Sequence, residues 1–212
     1  MPTLKLTKKY ARYPEYKDSG AEWLGKIPKG WEVKKLKRVT RFAYGEALAE
    51  DDRADGTVAV YGSNGIVGYH NDVLTTGETI IVGRKGSAGQ LQYSKQACFP
   101  IDTTFYIDKK ETKSVLRWLY YLLSIQKFDE GNQDSAVPGL SRDKAYDKSV
   151  VVPSTEVQQK IAKYLDEKTV VVDKVIEKKQ KLIELLREKR SGVIQHAVTK
   201  GLDPKAPLVD SG

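Results

Sequence analysis

The chain has 212 residues, of which 40% are hydrophobic and 30% charged, with a formal net charge of +8. This balance predicts a globular core with a basic surface that favours polyanions, nucleic acid first and an acidic membrane surface second; simple solubility is the alternative. Cys98 is the single cysteine, which excludes an intrachain disulfide and a Cys-based zinc site. No apolar run approaches 18 residues and residues 1–20 lack the apolar segment of a secretion signal, so we expect a cytoplasmic protein without a membrane partner.

The first 153 residues have the pattern of a small, strongly curved β structure. Short runs of β-branched and aromatic residues are bounded by turn residues, and glycines punctuate the region from 62 to 89. The predicted strands are 57–62, 79–83, 89–94, 103–108 and 149–153. One helix is predicted over 113–128, and the residues on its apolar face are Leu116, Leu119, Tyr120 and Leu123. The pattern predicts an α+β fold, a curved, Gly-rich mixed globule, rather than a doubly wound sheet.

A single long helix is predicted over residues 154–201. Ser154 or Thr155 can cap its start, Gln158 follows Thr155 at the spacing of a capping box, and Gly201 is a natural C-terminal stop. Apolar residues recur at intervals near three, four and seven, and the predicted seam is Ile161, Leu165, Val172, Val175, Leu182, Leu186 and Val193. A helix of about 45 residues, roughly 68 Å long, needs a second helix to cover such a seam.

That seam is imperfect. Lys168, Lys179 and Lys189 occupy positions where a strict coiled coil has apolar residues. A weak or partner-specific pairing, or a break near Gly192, follows from this. A helix packed along its own domain is the alternative.

Two segments carry weak signals for catalysis. The loop at 83–90, GRKGSAGQ, lacks the spacing of a phosphate-binding loop and precedes a predicted strand, so we predict a tight hairpin that displays two basic side chains. Asp102, Glu111 and Lys113 faintly resemble the metal site of a nuclease, but a solvated, charged turn is the better interpretation of Glu111 and Lys113. We find neither a Ser/His/Asp set nor the [DN]-P-P-[YF] loop of adenine methyltransferases, and we predict no catalytic centre.

The residues suited to binding DNA are more numerous. Two polar, Gly-rich segments, 61–71 and 131–144, carry the Asn, Gln and Arg side chains that pair with base edges, along with a lysine of the kind that neutralises phosphates. The candidate DNA-binding residues are Ser63, Asn64, His70, Arg84, Lys85, Gln92, Lys95, Gln133, Arg142 and Lys144. For any one of them, an ordinary surface loop is the alternative.

Taken together, several segments resemble the specificity subunits of type I restriction-modification systems. In the family's order they are DSGAEWLGKIPKGWEVKKLKRV (18–39), YGSNGIVG, GETIIVGRKGSAGQ, GLSRDKAYDKSVVVPSTEVQQKIAKYLDEKT and KGLDP, which span nearly the whole chain. The most telling motifs are the W-L-G-x-I-P-x-G-W entry and the P-x-x-x-x-Q-x-x-I-A-x-x-L-D opening of the helix. One departure is that Val157, Gln158 and Gln159 stand where the family usually has Glu-Gln before the isoleucine.

The resemblance implies a DNA sequence-specificity subunit that is not catalytic alone and works in an adenine-specific methyltransferase and endonuclease complex. Residues 1–153 would form a target recognition domain that reads one half of a split site in double-stranded DNA, with segment 1–30 docking near a helix end. Residues 154–201 would form the spacer helix on which the modification (methyltransferase) subunits dock, and restriction subunits would join the complex. S-adenosylmethionine, ATP and Mg²⁺ are expected on those partner subunits and no cofactor in this chain.

The chain corresponds to one half of the family's usual plan of two recognition domains and two helices. The residues Asp-Ser-Gly occur at 18–20 and again at 210–212, so residues 202–212 are interpreted as a tail at a repeat boundary. Two explanations remain open: a natural half-length subunit that dimerises, or a longer protein cut at the repeat boundary. For the first we expect a homodimer in which two copies pair their helices as an antiparallel coiled coil and read a split palindrome. The alternatives are a coiled-coil assembly regulator or mimic that does not read DNA, and a small DNA-cleaving enzyme.

Overall fold

The structure is a computed structural model that describes residues 13–21, 24–128 and 139–202. The described strands are β1 Tyr16–Asp18, β2 Lys26–Pro28, β3 Glu32–Lys35, β4 Ala43–Tyr44, β5 Val58–Gly62, β6 Gly65–His70, β7 Thr79–Gly83, β8 Leu91–Ser94, β9 Phe99–Pro100, β10 Thr104–Ile107 and β11 Ser149–Val152. The described helices are α1 Leu116–Ser124, α2 Arg142–Tyr146 and α3 Thr155–Lys200, with a short 3-10 turn at Leu36–Arg38. A sheet-rich part followed by one long helix confirms the predicted α+β class.

The five predicted strands are all present, each inside its predicted range, as β5, β7, β8, β10 and β11. The predicted helix at 113–128 is shorter than expected and runs over Leu116–Ser124. Val115 has an extended backbone, which starts the helix late, and Lys127 has a positive φ of 49°, which no helix continues through. The face of α1 that enters the core is Leu116, Trp118, Leu119 and Leu123, and Tyr120 is half-buried.

The core of this part forms around a four-stranded antiparallel sheet in the order β4–β10–β7–β8. Every residue of β7 is buried, because β8 and β10 flank it and α1 packs against it. Phe42, just before β4, is fully buried and contacts the rings of Phe105, Phe128 and Tyr146. Long-range aromatic packing of this kind fixes where the ends of β4, β7 and β10 lie.

A second sheet, in the order β6–β5–β9, carries a hairpin whose turn is at Ser63 and Asn64. The register of β5 and β6 shifts between Val60 and Tyr61, which bends the hairpin. Gly65 closes the turn with a φ of 135°, a conformation that side chains rarely adopt. The strands β5 and β9 pair in parallel.

The first turns of α3 are fixed to this globular part by β11 and one glutamine. The strand β11 pairs with β3, with Val151 opposite Val33, and α3 begins three residues after β11 ends. Gln158 is 3% exposed; its Nε2 donates to the Pro153 carbonyl (2.9 Å), and its Oε1 accepts from the Val115 amide (2.9 Å). The predicted capping box is therefore wrong in its detail, because this side chain links the start of α3 to the start of α1.

The helix α3 is continuous from Thr155 to Lys200, with no break at Gly192, and Gly201 follows it with a φ of 74°, as the predicted stop requires. Contacts divide the chain into two units, residues 1–162 and 163–212, so the division falls inside α3. None of the described helices is both long enough and apolar enough to cross a membrane.

Candidate nucleic-acid interface

The loop after β7 and the segment before α2 come together through main-chain hydrogen bonds. The Leu140 amide donates to the Arg84 carbonyl (2.8 Å), and Lys85 forms a bridge with Gly139. The amides of Arg84 and Lys85 both donate to the Thr103 carbonyl at the start of β10 (2.9 and 3.1 Å). Two segments far apart in sequence thus place basic residues on one surface.

The loop itself is the tight β7–β8 hairpin that the sequence predicts. The Gly89 amide donates to the Gly83 carbonyl (2.8 Å), and a φ of 72° at Gly86 completes the turn. A Cβ on Gly83 would lie 2.1 Å from the Ser87 carbonyl oxygen, so the loop has no room for any side chain there. The loop leads into β8, and a strand at this place rules out the strand–loop–helix geometry of a phosphate-binding loop.

Two guanidinium groups lie close to the ring of Tyr44. The Cζ of Arg84 is 5.3 Å from the centre of its ring, and the Cζ of Arg142 is 5.0 Å away. Arg84 is held further by Asp102, whose carbonyl accepts from Nε (3.0 Å) and Nη2 (2.5 Å). The Nε of Arg142 is buried and has no hydrogen-bond partner among the described residues. Tyr44 remains half-exposed, so the cluster lies at the surface.

The β5–β6 turn completes this surface. The Ser63 Cβ lies 3.2 Å from where a Cβ on Gly83 would be, so the turn is in contact with the β7–β8 loop. Gln92 Nε2 donates to the Gly62 carbonyl (3.3 Å), which ties the turn to β8, and Asn64 is exposed. We refer to the resulting set as the arginine–tyrosine surface: Tyr44, Ser63, Asn64, Arg84, Lys85 and Arg142.

Other predicted DNA-binding residues lie elsewhere. His70 is at the far end of β6 from the turn, where Nδ1 accepts from the Ala54 amide (3.1 Å) and the ring packs edge-on against Phe99. Lys95 is exposed at the end of β8 that lies away from the loop. Lys144 is exposed on α2, and Gln133 is outside the described residues.

The sequence reasoning missed Tyr44 and the carbonyl of Asp102. No local pattern marks them, because Tyr44 sits in a two-residue strand and acquires its role only when Arg84 and Arg142 fold onto its ring. A single exposed aromatic beside basic loops is the one signal that could have indicated it.

The interpretation of Glu111 as part of a solvated turn is wrong. Its side chain is 6% exposed and forms a two-point ion pair with Arg41, one contact being Arg41 Nη2 to Glu111 Oε1 at 2.7 Å. This pairing raises the pKa of Arg41 above its ordinary value. Lys113 is exposed, as predicted. Asp102 and Glu111 lie beyond opposite ends of β10, and no cluster of three His, Cys, Asp or Glu that could hold a metal occurs within residues 13–21, 24–128 and 139–202.

Arg41 and Glu111 also line an open basic concavity of about 900 Å³ next to the start of α3. Its lining cations are Lys34, Lys37, Arg38, Arg41, Lys109, Lys110 and Lys113. Its two lining carboxylates, Glu32 and Glu111, are paired with Lys34 and Arg41. Seven of the chain's 36 Lys and Arg residues are therefore grouped away from the arginine–tyrosine surface, beyond the other end of β10.

The predicted seam residues are distributed over both units. Ile161 is half-buried and packs against the core of the first unit, whereas Leu165 and Val175 are half-exposed within the second. The remaining seam residues have exposed side chains: Val172, Leu182, Leu186 and Val193. Further exposed apolar residues occur on the same helix at Ile176, Ile183 and Ile194.

Comparison with known proteins gives this geometry its context. The family described as "Type I restriction modification DNA specificity domain" matches residues 28–187. The chain belongs to this family. The match includes the whole arginine–tyrosine surface and most of α3.

Individual relatives agree in fold. The chain is 27% identical over 118 residues to the type I restriction enzyme EcoprrI specificity subunit of Escherichia coli, which covers 55% of this chain and 29% of that subunit. A type I restriction-modification S subunit from M. genitalium matches with a TM-score of 0.57 at 22% identity, over 84% of this chain and 47% of that one.

Two further solved structures agree. A chain from a structure of type I R-M complex assembly and conformational transition matches with a TM-score of 0.68 at 16% identity (88% and 49% covered). The HsdS subunit of Thermoanaerobacter tengcongensis gives a TM-score of 0.58 at 15% identity (88% and 48%). The chain thus spans about half the length of these structures and less than a third of the E. coli subunit.

Proposed function

We propose that the chain is a DNA sequence-specificity subunit of a type I restriction-modification complex, with residues 1–153 as its target recognition domain. The observation that carries the proposal is the arginine–tyrosine surface, where Arg84, Lys85 and Arg142 converge beside the Ser63–Asn64 turn. Membership of the specificity-domain family supports the same function.

The side chains of this surface suit base recognition. A guanidinium group has five N–H donors. Nε and Nη2 of Arg84 each donate one hydrogen bond to the Asp102 carbonyl. The remaining N–H donors are available to pair with guanine O6 and N7. Asn64, exposed at the turn, has the amide that pairs with adenine N6 and N7. Lys85 is exposed and suits a phosphate.

We assign the chemistry to partner subunits. The two carboxylate residues that could suggest a nuclease are committed elsewhere, since Glu111 is paired with Arg41 and Asp102 lies at the other end of β10. Methyl transfer from S-adenosylmethionine to adenine is proposed for modification subunits, and ATP- and Mg²⁺-dependent cleavage for restriction subunits. The complex would act in the cytoplasm.

The helix is proposed to set the distance between two half-sites. Residues 154–201 would pair with the same helix of a second copy in an antiparallel coiled coil and would dock the modification subunits. Residues 202–212 would lie at the boundary where the family's usual second half begins. Two identical recognition domains related by a two-fold axis predict a split palindrome as the target.

The test is to express the chain with its modification partner and to map methylated adenines across the genome. We expect a split palindrome, and we expect R84A/R142A to abolish methylation of that motif, whereas R38A, which removes an exposed arginine beyond the other end of β10, leaves it intact. An unchanged motif in R84A/R142A would exclude the arginine–tyrosine surface. If the wild-type complex methylates no defined sequence, the assembly-regulator alternative replaces the proposal.

A further inference from the structure

Several exposed or half-exposed apolar residues of α3 repeat every eleven residues. Within the second unit, one set with this spacing is Val172, Ile183 and Ile194, and another is Val175, Leu186 and Ala197. Basic residues follow the same period, at Lys168, Lys179 and Arg190. Eleven residues fill three turns of helix at about 3.67 residues per turn, close to the period of an unstrained α-helix.

This period changes the seam expected from a heptad. On a straight helix a heptad stripe drifts by about 20° every seven residues, whereas an eleven-residue stripe drifts by about 20° every eleven residues in the opposite sense, so the stripe of α3 turns more slowly around the helix. The stripe includes Ile176 and Ile183, which a heptad omits, and its central basic position is Arg190 rather than Lys189. At 100° per residue the apolar side chains span an arc of about 120°, with the basic positions at its middle.

The apolar positions of the stripe are also arranged symmetrically before and after Lys179 in the sequence. Reflection through this residue exchanges Val172 with Leu186 and Val175 with Ile183. It also exchanges further apolar pairs, namely Ile176 with Leu182, Leu165 with Val193, and Tyr164 with Ile194. The reflection breaks at the edge of the stripe, where Val171 would face Arg187.

We propose that α3 pairs with α3 of a second copy in one antiparallel register, with Lys179 on the two-fold axis and a slight right-handed supercoil. A parallel pair would accept any apolar stripe, whereas an antiparallel pair requires one that matches its own reversal, and this stripe does. The inference rests on the proposed dimer and specifies its register. The stripe and its flanking positions supply roughly 20 residues a side, the size of a standard specific interface.

The register has one electrostatic consequence. Lys179 meets Lys179 of the other copy, and Lys168 meets Arg190 on both sides of the axis, so like charges lie along the seam. Pairing is therefore weakened at low salt and strengthened as salt screens the repulsion. The same contacts allow a charge-swap test that depends on the register.

In the full-length chain, K168E should tighten the dimer about tenfold, because it creates two ion pairs with Arg190 and removes two repulsions. R190E should do the same. The double variant K168E/R190E restores like charges and should lose the gain. Sedimentation equilibrium measures the dimer dissociation constant of each variant. Gains that persist in the double variant, or no gain in either single variant, would overturn the register.

Disulfide cross-linking gives a second readout in a C98S background. K179C should cross-link to itself, and V172C should cross-link only when mixed with L186C, because a disulfide needs directly opposed residues. V170C, a valine on the opposite face of α3, is the matched control and should stay monomeric. Cross-linking of V172C alone and L186C alone would demonstrate a parallel pair and overturn the register, while leaving DNA recognition to be judged by the methylation map. A monomer at about 100 µM in every variant would overturn the dimer as well.

Discussion

The two units of this chain use apolar residues in opposite ways. In the first unit Phe42, Ile80 and Leu119 are fully buried, and they fix a surface assembled from residues that are tens of positions apart. In the second unit Leu182, Leu186 and Val193 are at least half exposed. Only their spacing along one helix places them on a common face. Under the proposed function, tertiary packing would position the residues that bind DNA, while the helical period of the apolar residues would select the partner helix.

The sharpest test of this contrast is to remove one apolar side chain from each unit. F42A should lower the free energy of unfolding of the first unit by about 3–5 kcal/mol, because a cavity replaces contacts with three aromatic rings. L186A should change it by less than about 0.5 kcal/mol. Urea unfolding followed by tryptophan fluorescence, to which the buried Trp118 contributes, measures both. Equal losses would show that the first unit depends on α3 beyond its first turns.

The link between α1 and the first turn of α3, within the first unit, gives the next largest effect. Q158A leaves the Val115 amide and the Pro153 carbonyl without their partner and should cost about 1–3 kcal/mol in the same unfolding experiment. Q159A, which removes the exposed neighbouring glutamine, should be close to neutral. Similar free energies of unfolding for the two variants would show that Gln158 does not stabilise the link between α1 and α3.

A smaller effect is expected at the arginine–tyrosine surface. Y44F keeps the ring and should bind the mapped DNA site as the wild type does. Y44A removes two cation–π contacts of about 0.5–1 kcal/mol each and should weaken binding about five- to thirtyfold. The dissociation constant of the assembled complex at fixed salt is the measurement, with Y69A, on exposed β6, as control. A loss in Y44F equal to that in Y44A would point to the hydroxyl instead of the ring.

The smallest effect concerns the start of α3. The hydrogen bond from Lys160 lowers the pKa of Glu156 and raises that of Lys160, and both groups are fully exposed. Because the folded pKa of Glu156 is depressed, the pair stabilises the helix above the ordinary glutamate pKa and ceases to do so as the pH falls through the folded value. NMR titration should give a Glu156 pKa that returns towards the ordinary value in K160M. No change in K160M would mean that solvent screens the pair completely.

The longer strands and the long helix could be predicted from the sequence, whereas the shortest strands could not. Strands β5, β7, β8, β10 and β11 and the helix α3 follow from alternation, turn glycines and the capping region, which are local signals. The two- and three-residue strands, such as β4, have no such signal because pairing partners alone define them.

The same limit applies to single side chains. Arg84, Lys85 and Arg142 could be named from residue type, but their convergence on Tyr44 depends on the register of β10 with β4 and β7. Glu111 was misjudged because its sequence neighbours, Lys109, Lys110 and Lys113, indicate solvent, whereas its partner Arg41 is 70 positions away. Local charge does not report burial when the neutralising group is distant in sequence.

The anchoring of Arg84 has a consequence for discrimination. A free arginine loses conformational entropy when it is immobilised on a ligand, about 0.5–1.5 kcal/mol for each long side chain. Arg84 is already immobilised by the Asp102 carbonyl and the ring of Tyr44, so that loss occurs during folding and not during binding. A rigid donor cannot move towards an alternative acceptor. Opposite a wrong base pair, the guanidinium group of Arg84 would therefore lack a hydrogen-bond partner. Under the proposed function, this preorganisation would make Arg84 discriminate strongly between the correct base pair and a wrong one.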